Sequence, residues 1–127
     1  MAQVVHFEIP TENLDRAKEF YRASFGWQLD TMQMDAGEYT TAITTPVDER
    51  QRPTDPGAIN GGLMRRTAQT PAPVITIAVE SIDASLKDIE SGGGSTVQPR
   101  AEIAGMGAYA YFTNTEGNVM GLWETRA

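Results

Sequence analysis

The fold is decided by a pattern that occurs twice, in VVHFEIPTENLDRAKEFY at residues 4–21 and in VITIAVESIDASLKDIE at residues 74–90. Each stretch begins with a short run rich in β-branched residues, passes through a polar turn and continues with apolar residues at helical spacing. In the second stretch Ile82, Leu86 and Ile89 recur at i, i+4 and i+7. The pattern therefore predicts two strand–helix units in one chain.

Residues that favour helix ends bound both predicted helices. Thr11 or Asn13 precedes the first helix and Ser81 or Asp83 the second, and each can accept a hydrogen bond from the first turn. The helices are followed by SFGW and SGGG, in which glycine can adopt the left-handed backbone of a helix end. These signals predict where both helices begin and end.

Three further segments with strand character follow each helix. They are WQLDTMQM, EYTTAIT and AINGGLMR in the first half, and STVQPRAEI, GAYAYFTN and VMGLWET in the second. Both halves therefore predict the order βαβββ. We expect one α+β domain over residues 1–127, with module 1 at about 1–65, a linker at about 66–73 and module 2 at about 74–127.

Two βαβββ modules side by side predict a curved mixed sheet with the helices on its outer face and a concave inner face. Side chains alternate between the two faces of a strand, and one parity is almost uniformly apolar, as a helix-covered face requires. The other parity, assigned to the inner face, contains His6, Glu8, Asn60, Gly62, Met64, Thr76, Ala78, Val119, Gly121 and Trp123.

The predicted inner face suits a small organic molecule, because it is largely apolar with a few polar groups. Gly62 and Gly121 would leave room there, since neither has a side chain to fill it. In the alternative interpretation Met64, Val119 and Trp123 simply fill this space, within a dimer or between the modules.

The composition excludes several kinds of site. The formal net charge is −7 and the only basic pair is Arg65–Arg66, so we expect no nucleic-acid partner. The chain has no cysteine, which excludes disulfides and thiolate sites. No apolar run is long enough to span a bilayer, so we expect a cytoplasmic protein without a membrane partner.

Four segments together resemble the vicinal oxygen chelate superfamily, which includes glyoxalase I, extradiol dioxygenases and bleomycin-resistance proteins. They are VVHFEIPTENLDRAKEFYRASFGWQL, GGLM, IAVESIDASLKDIESGGG and NTEGNVMGLWE. The resemblance covers nearly the whole chain, and GGLM with EGNVMGLWE is most similar to the glyoxalase-like branch. It implies the fold predicted above, a small-molecule ligand and a homodimer.

The resemblance also implies four positions for metal ligands, on the first and last strands of each module. Carried over to this chain, they are His6, Gly62, Thr76 and Gly121. Only His6 matches, because glycine has no side-chain donor and threonine is a poor substitute for imidazole or carboxylate. We therefore expect no metal and no other cofactor. A weakly held divalent metal at His6 and Glu8, with Asn60 or a tyrosine as a third donor, is the alternative.

The sequence favours a metal-free protein that binds a small organic ligand, with an enzyme as the alternative. The expected ligand-binding residues are His6, Asn60, Met64, Thr76, Tyr109, Tyr111 and Trp123. In a lyase, isomerase or dioxygenase-type enzyme, His6 and Glu8 would supply acid–base catalysis. Arg65 and Arg100 are candidates for binding a carboxylate, although both suit an exposed role equally. The polar segment 46–57 either reaches over the site or is a plain surface loop.

Overall fold

A computed structural model describes residues 1–34 and 37–125, which form two compact units. The described residues of His6–Pro73 form one unit, called module 1 from here on, and Met1–Val5 with the described residues from Val74 form the other, called module 2. The predicted module bounds stay a prediction. Along the chain the elements are β1 (Gln3–Thr11), α1 (Leu14–Phe25), β2 (Gln28–Met34), β3 (Gly37–Ile43), β4 (Asn60–Arg65), β5 (Val74–Ala78), α2 (Ile82–Ser91), β6 (Ser95–Ile103), β7 (Gly107–Thr113) and β8 (Val119–Thr125).

The sheet of module 1 has the strand order β2-β3-β4-β1. β1 and β4 run parallel, whereas β3 is antiparallel to both β2 and β4, so the sheet is mixed. The helix α1 covers one face, where Leu29, Ala42 and Leu63 are buried. Phe7, Ile9, Leu14, Ala17, Tyr21 and Trp27 pack against these three residues.

Module 2 repeats this arrangement with the strand order β5-β8-β7-β6. β5 and β8 run parallel, and the remaining pairs are antiparallel. The helix α2 contributes Ile82 and Leu86 to a core with buried residues of β7 and β8: Ala108, Ala110, Phe112 and Leu122. The predicted α+β class and the order βαβββ are therefore confirmed in both halves.

The helix ends follow from their capping residues. Asn13 and Ser81, one of each predicted pair, accept hydrogen bonds from the backbone N–H of Arg16 and Ala84. Gly26 ends α1 with φ = 71°, a backbone conformation that glycine adopts without strain. Among the described residues, no helix is long and apolar enough to cross a membrane.

The segment between β3 and β4 is held by hydrogen bonds of its own. Val47 and Pro53 form an isolated bridge, and the carboxylate of Asp48 accepts from the backbone N–H groups of Arg50 and Arg52. The first residue of β4, Asn60, joins this segment to the sheet, because its side-chain oxygen Oδ1 accepts from the backbone N–H of both Thr44 and Thr45. The segment is therefore an ordered hairpin-like loop.

The carboxylate of Glu124 joins α2 to the sheet of module 2. Its Oε1 accepts from the backbone N–H of Ile82 at 2.8 Å, and its Oε2 accepts from Arg100 at 2.9 Å. The hydrogen bond from Arg100, followed by that from Ile82, lowers the pKa of Glu124. A carboxyl whose pKa is lower in the folded state stabilises the fold above its unfolded pKa and loses that contribution as the pH falls through the folded value.

Replacing Glu124 by Gln should therefore lower the thermal unfolding midpoint at pH 7, and the difference from wild type should shrink as the pH falls below the ordinary pKa of a glutamate. Thermal unfolding followed by circular dichroism at several pH values measures this. Glu102→Gln is the matched control, because Glu102 also pairs with Arg100 but its side chain is 74% exposed. A Glu124→Gln difference that is the same at every pH would contradict the assignment.

Candidate functional site

Three polar side chains meet on the face of the module 1 sheet opposite α1, here called its helix-free face. His6 and Glu8 come from β1, and Tyr39 comes from β3. His6 Nε2 lies 3.0 Å from the Tyr39 hydroxyl, which in turn lies 3.5 Å from Glu8 Oε2. The phenol therefore stands between an imidazole and a carboxylate, and we call these three residues the His6–Tyr39–Glu8 cluster.

The cluster depends on the absence of a side chain at Gly62. A Cβ atom at Gly62 would lie 2.0 Å from the Tyr39 hydroxyl oxygen and 2.3 Å from Cζ. Gly62 lies on β4, the strand between β1 and β3, so the phenol crosses over a bare backbone to reach His6. The expectation that Gly62 leaves room for a ligand is therefore wrong, because the Tyr39 ring fills that space.

Burial sets the protonation states of this cluster. Desolvation lowers the pKa of His6. Desolvation also raises the pKa of Tyr39, and both the charge of Glu8 and its hydrogen bond with the phenol raise it further. At neutral pH the imidazole is therefore uncharged and the phenol keeps its proton. The cluster therefore contains an uncharged imidazole and a phenol beside the Glu8 carboxylate.

The strand register corrects the correspondence between the two halves. On the parallel strands of module 1, Glu8 lies opposite Gly62 and His6 lies opposite Asn60. In module 2, Thr76 lies opposite Gly121. Because the two glycines are equivalent positions on the closing strands, Glu8 rather than His6 is the counterpart of Thr76. The four metal positions given above make His6 the counterpart of Thr76, and that correspondence is shifted by two residues.

Asn60 and Met64 flank the cluster on β4. The side-chain amide of Asn60 is used within the module, since it accepts from Thr44 and Thr45 and donates to the Thr45 carbonyl at 3.3 Å. Met64 is partly buried, and its carbonyl accepts from the hydroxyl of Thr11. Asn60 thus positions the loop, whereas ligand contact by either residue stays a prediction.

The helix-free face of module 2 carries two tyrosines and an indole. Tyr109 and Tyr111 alternate along β7 with the buried core residues and are themselves partly exposed, with their rings edge to face at 5.8 Å. Trp123 lies opposite Tyr109 in the register, and its Nε1–H donates to the Thr125 hydroxyl. These three rings form an aromatic surface within the module.

Two further predicted residues of module 2 lie beside these rings. Thr76 is buried, and its hydroxyl would lie 2.7 Å from a Cβ atom at Gly121. Gly121 therefore leaves no open room either. A role of Thr76 and of the aromatic residues in ligand binding stays a prediction.

The two candidate arginines differ in their surroundings. Arg100 binds Glu124 and Glu102, so its guanidinium is already paired within module 2. Arg65 is exposed at the end of β4.

The four inferred metal positions do not fit a four-ligand centre. They provide one imidazole, one hydroxyl and two glycines, and the imidazole Nε2 already contacts the Tyr39 hydroxyl. Among residues 1–34 and 37–125, no group of three or more His, Asp or Glu side chains could hold a metal ion. Metal-free function stays a prediction.

Tyr39 is the residue that sequence reasoning missed. Its strand was identified as EYTTAIT, but no parity was assigned to it. The alternation in that segment was the available signal: Thr40 and Ala42 are buried on the helix side, which places Tyr39 on the other face. Its contact with His6 spans 33 residues and could not be inferred from spacing.

Comparison with known proteins agrees with this architecture. The family model for bleomycin resistance protein-like N-terminal segments matches residues 3–44. The putative glyoxylase CFP32 of Mycobacterium tuberculosis is 28% identical over 120 residues, which are 92% of this chain and 43% of that protein. The chain thus spans less than half the length of this relative. A glyoxylase-like domain-containing protein of Didymella fabae is 27% identical over 91% of this chain and 88% of its own length.

Solved structures share the fold. A Streptomyces coelicolor methylmalonyl-CoA epimerase variant in complex with 2-nitronate-propionyl-CoA superposes with a TM-score of 0.67, over 98% of both chains, at 20% identity. At that identity the likeness shows the fold alone. The family model and the glyoxylase-like relatives support the resemblance to the vicinal oxygen chelate superfamily.

The contact between Gly62 and Tyr39 can be tested by a pair of substitutions. Gly62→Ala should destabilise the protein by about 1–3 kcal/mol, because the new methyl group must displace the phenol. In a Tyr39→Ala background the same substitution should cost much less, since the ring it would meet is gone. Urea unfolding of the four proteins gives the coupling energy. An equal cost of Gly62→Ala in both backgrounds would contradict this geometry.

Proposed function

We propose that the protein binds a small organic molecule on the helix-free face of the module 1 sheet, with the His6–Tyr39–Glu8 cluster as the polar anchor. The observation that carries this proposal is the composition of that face in module 1. An uncharged imidazole, a phenol and a carboxylate converge there, and all three side chains are only partly buried. Converging polar groups on a sheet face opposite the core are typical of a small-molecule site.

The charges favour a neutral or cationic ligand over a polyanion. The formal net charge of the chain is −7, and one of its carboxylates, that of Glu8, lies within the cluster itself. In module 2, Tyr109, Tyr111 and Trp123 offer a separate set of ring faces on which a planar or cationic group can stack. For the cluster in module 1 we therefore infer an organic ligand that is neutral or carries amines rather than several phosphates.

The relatives support a small-molecule function without naming the ligand. A bleomycin resistance-like model matches the first third of the chain, and the Streptomyces coelicolor structure of the same fold contains a CoA derivative. The proposed binding function requires neither a metal nor another cofactor. We propose a cytoplasmic location, and we expect neither nucleic acid nor membrane as a partner. Acid–base catalysis by His6 and Glu8 stays the alternative from the sequence.

A binding experiment with ligands of opposite charge tests the proposal. Bleomycin, which is basic, and methylmalonyl-CoA, which is polyanionic, are titrated into the protein by calorimetry. We expect bleomycin to bind more tightly, and Tyr39→Phe to weaken its binding by about fivefold to tenfold, since the hydroxyl that orients His6 and Glu8 is lost.

Tyr21→Phe is the matched control, because it also removes a phenol hydroxyl from module 1 but lies on α1, where Tyr21 stacks on Trp27. Preferred binding of methylmalonyl-CoA, or an equal effect of both substitutions, would contradict the proposal. Recovery of the compounds unchanged after incubation distinguishes binding from the lyase or isomerase alternative.

We also propose that two copies of the chain associate. Large apolar side chains are exposed in both modules: Phe20 is 56% and Phe25 is 63% exposed on α1, and Ile75 is 47% exposed on β5. Exposed apolar groups of this size favour association. Light scattering after size-exclusion chromatography should give the mass of a dimer, and Phe20→Lys combined with Phe25→Lys should reduce it to a monomer. A monomeric wild-type protein would contradict this proposal.

A further inference from the structure

The orientation of the hydrogen bonds in the His6–Tyr39–Glu8 cluster follows from its chemistry. An ionised carboxylate accepts hydrogen bonds only, so the Tyr39 hydroxyl must donate to Glu8, 3.5 Å away. If the phenol donated to His6 instead, its oxygen would face the carboxylate with no proton between them, which is unfavourable. The phenol oxygen is therefore left to accept from His6 Nε2, 3.0 Å away.

We infer that Tyr39 and Glu8 hold His6 in the tautomer that carries its proton on Nε2, so that Nδ1 presents a lone pair to the ligand. In this arrangement Nε2–H donates to Tyr39, and the Tyr39 hydroxyl donates to Glu8. A ring nitrogen without a proton is an acceptor, and the hydrogen bond of the other nitrogen determines which one that is. Tyr39 is thus a positioning residue for His6.

The surroundings of Nδ1 agree with this role. Within residues 1–34 and 37–125, His6 makes its hydrogen bond through Nε2, and no buried side-chain nitrogen or oxygen is without a partner. Because Nδ1 has no partner in the described structure, it must be reached by solvent. A ligand that enters this face can therefore meet the acceptor directly.

The tautomer of His6 narrows the class of ligand, and this step rests on the proposed binding function. An acceptor at Nδ1 selects a ligand with a hydroxyl, phenol, amide or protonated amine, and it gives no hydrogen bond to an ether or a carbonyl at the same place. Burial keeps His6 uncharged at neutral pH, so the lone pair is available there. Glu8 is the charged group that faces the cluster from the same strand.

The tautomer can be read directly, because His6 is the only histidine in the chain. Two-bond ¹H–¹⁵N correlation spectra of the ¹⁵N-labelled, ligand-free protein at pH 7.5 distinguish a protonated from an unprotonated nitrogen at each ring position. We expect the Nε2–H form to exceed the Nδ1–H form by roughly tenfold. A predominant Nδ1–H form, or comparable amounts of the two, would overturn the inference.

Two variants test what sets the tautomer. Glu8→Ala removes the acceptor of the phenol, which is then free to donate to Nε2, so the Nδ1–H form should become predominant. Tyr39→Phe removes the acceptor of Nε2–H, so the preference should fall by several-fold, whereas Tyr21→Phe should leave it unchanged. Unchanged spectra in a folded Glu8→Ala protein would overturn the inferred chain of hydrogen bonds from His6 Nε2–H through Tyr39 to Glu8. Should that variant fail to fold, Tyr39→Phe carries the same test.

The ligand class is tested with phenol and its methyl ether, anisole. Phenol can donate a hydrogen bond to Nδ1 and anisole cannot, although their shapes are similar. Phenol at millimolar concentration should shift the Nδ1 resonance, and anisole should not. Equal shifts from both probes, or none from either, would overturn the role of Nδ1. The tautomer spectra use ligand-free protein, so they can succeed even where the calorimetry of the proposed function fails.

Discussion

The alternation of side chains along the strands is the constraint on which the rest of the molecule depends. In each module one parity supplies the residues buried under the helix, such as Leu63 under α1 and Leu122 under α2. Residues of the other parity point away from the helix and do not pack in this core, so they can be polar or aromatic. The alternation that places apolar residues in the core therefore also places the cluster residues on the opposite face. A one-residue shift in strand register would displace both sets of side chains.

The chemistry of module 1 arises from a backbone position without a side chain. β4 separates β1 from β3, and any larger residue at Gly62 would keep Tyr39 away from His6. Because glycine stands there, β1 and β3 contribute to one group of hydrogen-bonded side chains across the intervening β4. That arrangement differs from a metal centre, in which side chains converge on an ion. Here the phenol occupies the middle and connects the imidazole to the carboxylate.

The sequence predicted the order of elements and the two faces of most strands, because those depend on local patterns. It could not reveal the register between the halves. A shift of two residues preserves parity, so His6 and Glu8 were equally good counterparts of Thr76 until the strand pairing was known. The roles of Tyr39 and Asn60 were also hidden, because both depend on contacts between segments far apart in the chain, where spacing carries no information.

Each module contains one of the two tryptophans, and this gives the halves separate optical signals. Trp27 stacks on Tyr21 in module 1 with the ring planes 6° apart, whereas Trp123 lies on the helix-free face of module 2. With either indole replaced by phenylalanine, the remaining fluorescence reports the melting of a single half. Comparing the melting transitions of the two single-tryptophan variants therefore measures the folding cooperativity between the two halves in the intact chain.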